Sequence, residues 1–155
     1  MISVVSGGQA GVDRAALDVA LALGLPCGGW CPKGRIAEDG PLDPRYPLQE
    51  TPSAEYGRRT EWNVRDSDGT LVLHAGELSG GTAQTVEIAR RLVKPHLVVD
   101  LTRRPDPSAV RAWASAHRLK VLNVAGPRES KSPGVYAQAH EFLRSAFLGM
   151  GAGSG

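Results

Sequence analysis

Ile2-Ser3-Val4-Val5-Ser6-Gly7-Gly8-Gln9-Ala10-Gly11-Val12-Asp13 is the stretch that decides the fold. The run from Ile2 to Val5 reads as a short buried strand, cut off by Ser6-Gly7-Gly8. Val12, Ala15, Ala16, Val19, Ala20 and Leu23 then recur at helical spacing, and Gly24 closes the helix. An apolar strand that feeds an amphipathic helix through a tight glycine turn opens a parallel, helix-covered sheet. Glycine at three of five positions lets the backbone turn sharply and bring amides close to a ligand, with the positive end of the helix aimed at the same place. Ser6, Gly7, Gly8, Gln9, Gly11 and Asp13 are therefore candidate contacts for a phosphate or another oxyanion. The same glycines also suit close strand–helix packing. The pattern is neither the G-x-G-x-x-G fingerprint nor a Walker loop.

Downstream the alternation continues. Strands are expected at 70–73, 96–101 and 120–124, and helices at 53–66, 82–93, 107–118 and 133–147. Residues 25–52, rich in proline and glycine, read as a long irregular excursion, and long loops in compact domains are usually functional. The helix over 53–66 is polar: Glu55, Arg58, Arg59, Thr60, Glu61, Asn63 and Arg65 leave little apolar stripe. It faces solvent, another subunit or a polar site. Tyr56 and Trp62 on it favour a symmetric partner, hence an oligomer. Right-handed crossovers then give an α/β, Rossmann-like doubly wound parallel sheet in a single domain over 1–148, with 149–155 a flexible tail.

In that architecture ligands sit outside the carboxyl ends of the strands. Three further segments follow expected strands or belong to the excursion. Gly76 to Thr82 is a second glycine-rich strand-to-helix turn, so Gly80, Gly81 and Thr82 join the candidate anion site, and Thr82 also suits a plain helix cap. Arg128, Ser130 and Lys131 follow the last strand and suit oxyanion contacts as well as a solvated loop. Lys33 and Arg35 in the excursion are placed to close over an anionic ligand, with Trp30 either a stacking ring or a partly buried core aromatic. His74 directly follows a strand and reads as structural more than catalytic.

The chain has 155 residues, enough for one domain of roughly 150 residues and too few for a separate substrate lobe. Charged residues make up 22% and hydrophobic ones 41%, an ordinary globular balance. A net charge of +2 is too small to imply nucleic acid or a membrane surface as partner. Cys27 and Cys31 are too few for a disulfide scaffold, have no nearby ligands for a zinc site, and read as reduced thiols. With no leader-like segment and no long apolar run, a cytoplasmic location is expected.

Ser6-Gly7-Gly8-Gln9-Ala10-Gly11-Val12-Asp13 resembles the SGG-x-x-G-x-D loop of the SLOG superfamily of Rossmann-like nucleotide-ligand binders. Ser79-Gly80-Gly81-Thr82-Ala83-Gln84-Thr85-Val86-Glu87 looks like a degenerate P-G-G-x-G-T-x-x-E loop of the cytokinin-activating phosphoribohydrolases. The segments 29–35, 59–70 and 123–130 are similar to the circularly permuted branch of that superfamily, the molybdenum carrier protein family. The resemblance implies a homo-oligomer, often a tetramer, that binds molybdenum cofactor or a related phosphorylated pterin or nucleotide. The many donors at strand ends, with no histidine beside a serine or cysteine nucleophile in a recognisable motif, favour binding without turnover, and no metal ligands are expected. The resemblance leaves an N-glycoside hydrolase acting on nucleoside monophosphates, or a nucleotide sensor, as alternatives. Ser79, Ala83 and Gln84 depart from the hydrolase loop, while Glu87 keeps the position of its glutamate and would be the catalytic residue of an enzyme.

Overall fold

The computed structural model describes residues 2–78 and 80–151. In chain order the elements are β1 (Ser3–Val5), α1 (Val12–Ala22), five two-residue strands β2 (Cys27–Gly28), β3 (Trp30–Cys31), β4 (Ile36–Ala37), β5 (Gly40–Pro41) and β6 (Gln49–Glu50), then α2 (Tyr56–Arg65), β7 (Gly69–His74), α3 (Gly80–Arg91), β8 (His96–Asp100), α4 (Pro107–Ala116), β9 (Val121–Ala125) and α5 (Val135–Gly151). Helix α5 carries the chain through Gly149, whose hydrogen face lies against Arg111. The rest of the segment expected as a tail, 152–155, lies outside the described residues, as does Ser79.

Five strands form one parallel sheet in the order β2-β1-β9-β7-β8. Side chains alternate across it. On one face Val4, Leu71, Leu73, Leu122 and Val124 pack with Val12, Ala15 and Val19 of α1, Val110 of α4, and Val135, Phe142, Leu143 and Phe147 of α5. The β-branched and leucine-rich strand runs are buried by this layer, as a parallel sheet requires. On the other side α2 and α3 pack on each other through Val64, Ile88 and Ala89. With helices on both faces, the sheet is a Rossmann-like doubly wound α/β domain.

The strand order carries more information. Counted from β7 onward and then back through β1, the five strands read 2-1-3-4-5 across the sheet from β8 to β2. That is one of the common doubly wound orders, entered at a different point in the chain. The last strand, β9, therefore lies in the middle, and the reversal of winding falls between β7 and β9.

The excursion is less irregular than expected. Its first two residues after Pro26 extend the main sheet as edge strand β2, too short for any periodicity to register. Beyond it Cys31, Ala37, Leu42, Tyr46 and Leu48 form a small core of their own against Leu17 of α1. Tyr46 and Tyr136 both donate their hydroxyls to the carboxylate of Asp18, which ties the excursion to α1 and α5. Helix α2 starts at Tyr56 rather than at 53, because the Ser53 hydroxyl accepts from the Glu55 amide in a turn of its own.

Candidate functional site

A cleft of about 410 Å³ opens at the carboxyl ends of β1, β9 and β7, where the winding reverses. Its size is that of a small-molecule site. The loop after β1 supplies Gly7 and Asp13, β7 and its loop supply His74, Ala75 and Glu77, and α3 supplies Gly80, Gly81, Thr82, Gln84 and Thr85. Strand β9 and the loop after it supply Asn123 to Arg128, Lys131 and Ser132, and α2 supplies Arg59, Thr60 and Asn63.

The geometry separates the predicted residues into two groups. Gly7, Asp13, Gly80, Gly81, Thr82, Arg128 and Lys131 share the cleft. Ser6, Gly8, Gln9 and Gly11 are outside its lining and are occupied with the fold. The Ser6 hydroxyl donates to the Asp13 carbonyl oxygen at 2.9 Å, and the Gln9 side-chain oxygen accepts from the Glu38 amide at 3.0 Å. Gly8 has φ +80, and a Cβ there would press on Leu48 and Leu42. Gly11 has φ +107 and faces Pro127 and Arg128 so closely that a Cβ would lie 2.5 Å from the Pro127 carbonyl oxygen. These two glycines serve left-handed backbone and close packing, one of the two roles their spacing allowed.

Lys33 and Arg35 also lie elsewhere. Lys33 is exposed, outside the cleft lining. Arg35 spends its guanidinium on the carbonyl oxygens of Leu48, Asp43 and Tyr46 at 2.9 to 3.1 Å and so closes its own loop. Ser130 bonds the carboxylate of Glu38 through both its amide and its hydroxyl. Glu87 points to solvent from α3 with its side chain 74% exposed, and it pairs with Arg90 at 3.7 Å. Trp30 packs edge-on against Trp62 and donates its indole N–H to Asp66, so its ring is part of the frame.

The contribution of α2 was not predicted residue by residue. Asn63 is buried and clamps the backbone of Trp30, accepting from its amide at 2.8 Å and donating to its carbonyl at 3.0 Å. Four residues earlier, on the same helix face, Arg59 donates through Nη1 to Asp13 Oδ2 at 2.9 Å. The polar stripe of this helix therefore faces the polar site. Burial pushes the Asp13 carboxyl above the usual carboxylate range, and the Arg59 guanidinium works against that shift. The pattern Arg59-Thr60-x-x-Asn63 without apolar partners was the available signal.

The α3 end of the cleft is different in kind. Among the described residues, and apart from chain neighbours and the helix's own backbone, nothing lies within 4 Å of where a Cβ of Gly80 or Gly81 would be, and both glycines line the cleft, so the first turn of the helix presents bare backbone to it. The Nδ1 of His74 bonds the Gly76 carbonyl oxygen at 2.8 Å, and a carbonyl only accepts, so Nδ1 carries the proton. Asp100 beside it receives Thr102 and the Gly76 amide, which hold its carboxyl down at about 2. Among the described residues no group of three or more His, Cys, Asp or Glu side chains is arranged to hold a metal ion. Both cysteines sit in the excursion, outside the cleft, with thiols raised by burial. No helix of the described residues is long and apolar enough to cross a membrane.

Among curated proteins none matches the chain. A solved structure does: a crystal structure described as a "putative molybdenum carrier protein" from Syntrophus aciditrophicus SB is similar at 45% identity, with a TM-score of 0.90, over 96% of this chain and 95% of that one. The family model of the circularly permutated YpsA SLOG family matches residues 4–147, in keeping with a strand order that reads as a doubly wound sheet entered at β7. The chain belongs to the circularly permutated YpsA SLOG family.

Proposed function

We propose that the protein is a binding protein that carries a phosphorylated small molecule, molybdenum cofactor or a related pterin or nucleotide, in the cleft between β7 and β9. The observation that carries this reading is the bare first turn of α3 at Gly80-Gly81, which lines the same cleft as Arg128 and Lys131. Exposed amides at a helix start suit phosphate oxygens, and an arginine and a lysine add charge-assisted donors. Thr60, Asn123 and His74 supply hydrogen-bonding groups for a heterocyclic ring. The molybdenum of such a cargo would stay on its own pterin dithiolene, because the cleft offers oxygen and nitrogen donors suited to phosphate and ring.

Glu87, the carboxylate at the position of the hydrolase glutamate, sits on the outer face of α3, and the buried cleft carboxylate Asp13 is engaged by Arg59 at 2.9 Å, which supports carriage over N-glycoside hydrolysis. A homotetramer in the cytoplasm completes the proposal. The resemblance suggests it, and the polar groove between α2 and α3, with Arg58, Glu61 and Arg91 on its walls, offers a surface for subunit contact.

Purified protein is incubated with molybdenum cofactor, and pterin fluorescence and bound molybdenum are followed after gel filtration. Saturable, near-stoichiometric retention that protects the cofactor from oxidation supports carriage. Release of base from adenosine or guanosine monophosphate above the no-protein rate would replace the proposal with an enzyme. Light scattering at low micromolar concentration reads the assembly, and a mass near 16 kDa would exclude the tetramer.

A further inference from the structure

Strand β9 is the middle strand of the sheet, and the middle of a parallel sheet covered on both faces is a place for apolar side chains. Leu122 and Val124 follow that rule against α1 and α5. Asn123, between them, does not. It projects from the other face of the strand, beside Thr70 in the β7–β9 register, and is only 2% exposed. Its Nδ2 donates to Thr70 Oγ1 at 3.3 Å. No group of the described residues donates to its Oδ1, and Asn123 lines the cleft, so that oxygen is left to the cleft. Asn63 is the contrast: both ends of its amide are spent on the backbone of Trp30, and the fold uses the whole side chain. The Thr82 hydroxyl, on a buried residue lining the same cleft, also has no protein partner among the described residues, whereas Thr85 Oγ1 donates to the Gly81 carbonyl oxygen at 3.0 Å. A carboxamide buried in mid-strand with its oxygen unpaired destabilises the fold, and a ligand that donates to that oxygen removes the cost.

We propose that Asn123 selects the ring of the ligand: its Oδ1 accepts an N–H from the ring's edge. Thr70, by accepting from Nδ2, holds the amide in the orientation that leaves the oxygen to the cleft. A carboxamide oxygen only accepts, so a ring whose edge carries nothing but acceptors leaves Oδ1 unpaired and is disfavoured. The ligand class is then a phosphorylated nitrogen heterocycle with an amide or amino N–H on its edge. Pterin and guanine rings share that edge, a ring N–H next to an exocyclic amino group. This rests on the ligand-carrier reading above and adds to it which rings the cleft takes and which residue chooses them. Asn123 stands on the sheet itself, apart from the glycine turn of α3 and the loop of Arg128 and Lys131, so ring selection and anion binding belong to different elements of one cleft.

The test compares two nucleotides on the full chain by calorimetry. Guanosine monophosphate has N–H donors on its ring edge, and purine riboside monophosphate has the same ribose phosphate on a ring with acceptors only. The wild type should bind the guanine nucleotide about tenfold more tightly, the worth of one hydrogen bond to an otherwise unpaired buried oxygen. In Asn123→Leu that ratio should fall to within about twofold of one. A merely structural role would weaken both nucleotides alike and keep the ratio, and a kept ratio overturns the proposal, as does a wild type that binds the two equally. Should Asn123→Leu fail to fold, Asn123→Val, β-branched and suited to a strand, takes its place with the same expectation. Where the wild type retains molybdenum cofactor but neither nucleotide, the substitution should lower cofactor retention about tenfold, and unchanged retention overturns the proposal. A wild type that retains none of the three fails differently: it overturns the carrier reading, and ring selection with it.

Discussion

Gly11 pairs with Arg128 in an antiparallel bridge, so the loop after β1 and the loop after β9 are folded as one unit. The Val12 amide donates to the Pro127 carbonyl at 3.3 Å, and the Glu129 amide donates to the Ala10 carbonyl at 3.1 Å. The start of α1, left without a side-chain cap, is thus capped by backbone from the far end of the chain. Arg128 reaches the cleft from this bridged segment, which fixes its backbone relative to Asp13.

Gly11→Ala should cost about 2 kcal/mol, since alanine is strained at φ +107 and its Cβ would run into the Pro127 carbonyl. Urea denaturation followed by circular dichroism measures it. A loss below half a kcal/mol would mean that the two loops separate easily.

Gly81→Val should behave in the opposite way. The position has open space around it and sits in the first turn of α3, so the fold and its Tm should stay close to wild type. Binding of inorganic phosphate, read by calorimetry, should fall at least tenfold as the side chain fills the bare turn. Unchanged binding would remove the α3 end from the site.

Arg128→Ala should weaken ligand retention about tenfold, the cost of one charge-assisted contact. Glu87→Gln should leave retention within about twofold, because its carboxylate faces solvent and pairs only with Arg90 among the described contacts. Fluorescence titration of the two variants in parallel distinguishes cleft residues from helix-surface ones.

Acid should act on the stability of the buried Asp13. Burial raises its carboxyl above 3.8, with Arg59 and Arg14 as the opposing positive charges. The folded chain holds this proton more tightly than the unfolded one, so the Asp13 contribution to stability improves as pH falls from the raised folded value toward 3.8 and is lost above that window, and Asp13→Asn should flatten this part of a plot of Tm against pH. Asp100, held at about 2, acts the other way, contributing above 3.8 and losing its contribution as pH drops toward 2.

Much of this was legible in the chain. The Ile2–Asp13 stretch and the alternating elements gave the doubly wound sheet, and counting residues after strand ends brought Gly81, Thr82, Arg128 and Lys131 to the cleft. What was not legible has physical reasons. A glycine needed for a left-handed turn, such as Gly8 or Gly11, has the same letter as one that opens space, such as Gly81. Arg35 next to glycines looks the same whether its guanidinium grips a ligand or, as here, its own carbonyls. Arg59 was hidden because a helix without an apolar stripe does not say which polar face is turned inward. Strand β2 has too few residues to carry a period.

The position of β9 has a consequence for how the chain becomes a protein. β1 and β2 pair early in the sequence, and β7 and β8 pair midway, but the two pairs meet only through β9, which follows both. A nascent chain lacking β9 holds two half-sheets, each exposing to solvent the edge that β9 later joins, and such unpaired edges invite association with other chains. Closure brings residues from opposite ends of the sequence together, a long-range step of the kind that slows folding. The ligand cleft straddles that seam, so binding competence arrives with the last strand, and a ligand that bridges β7 and β9 would also hold the two halves of the sheet shut.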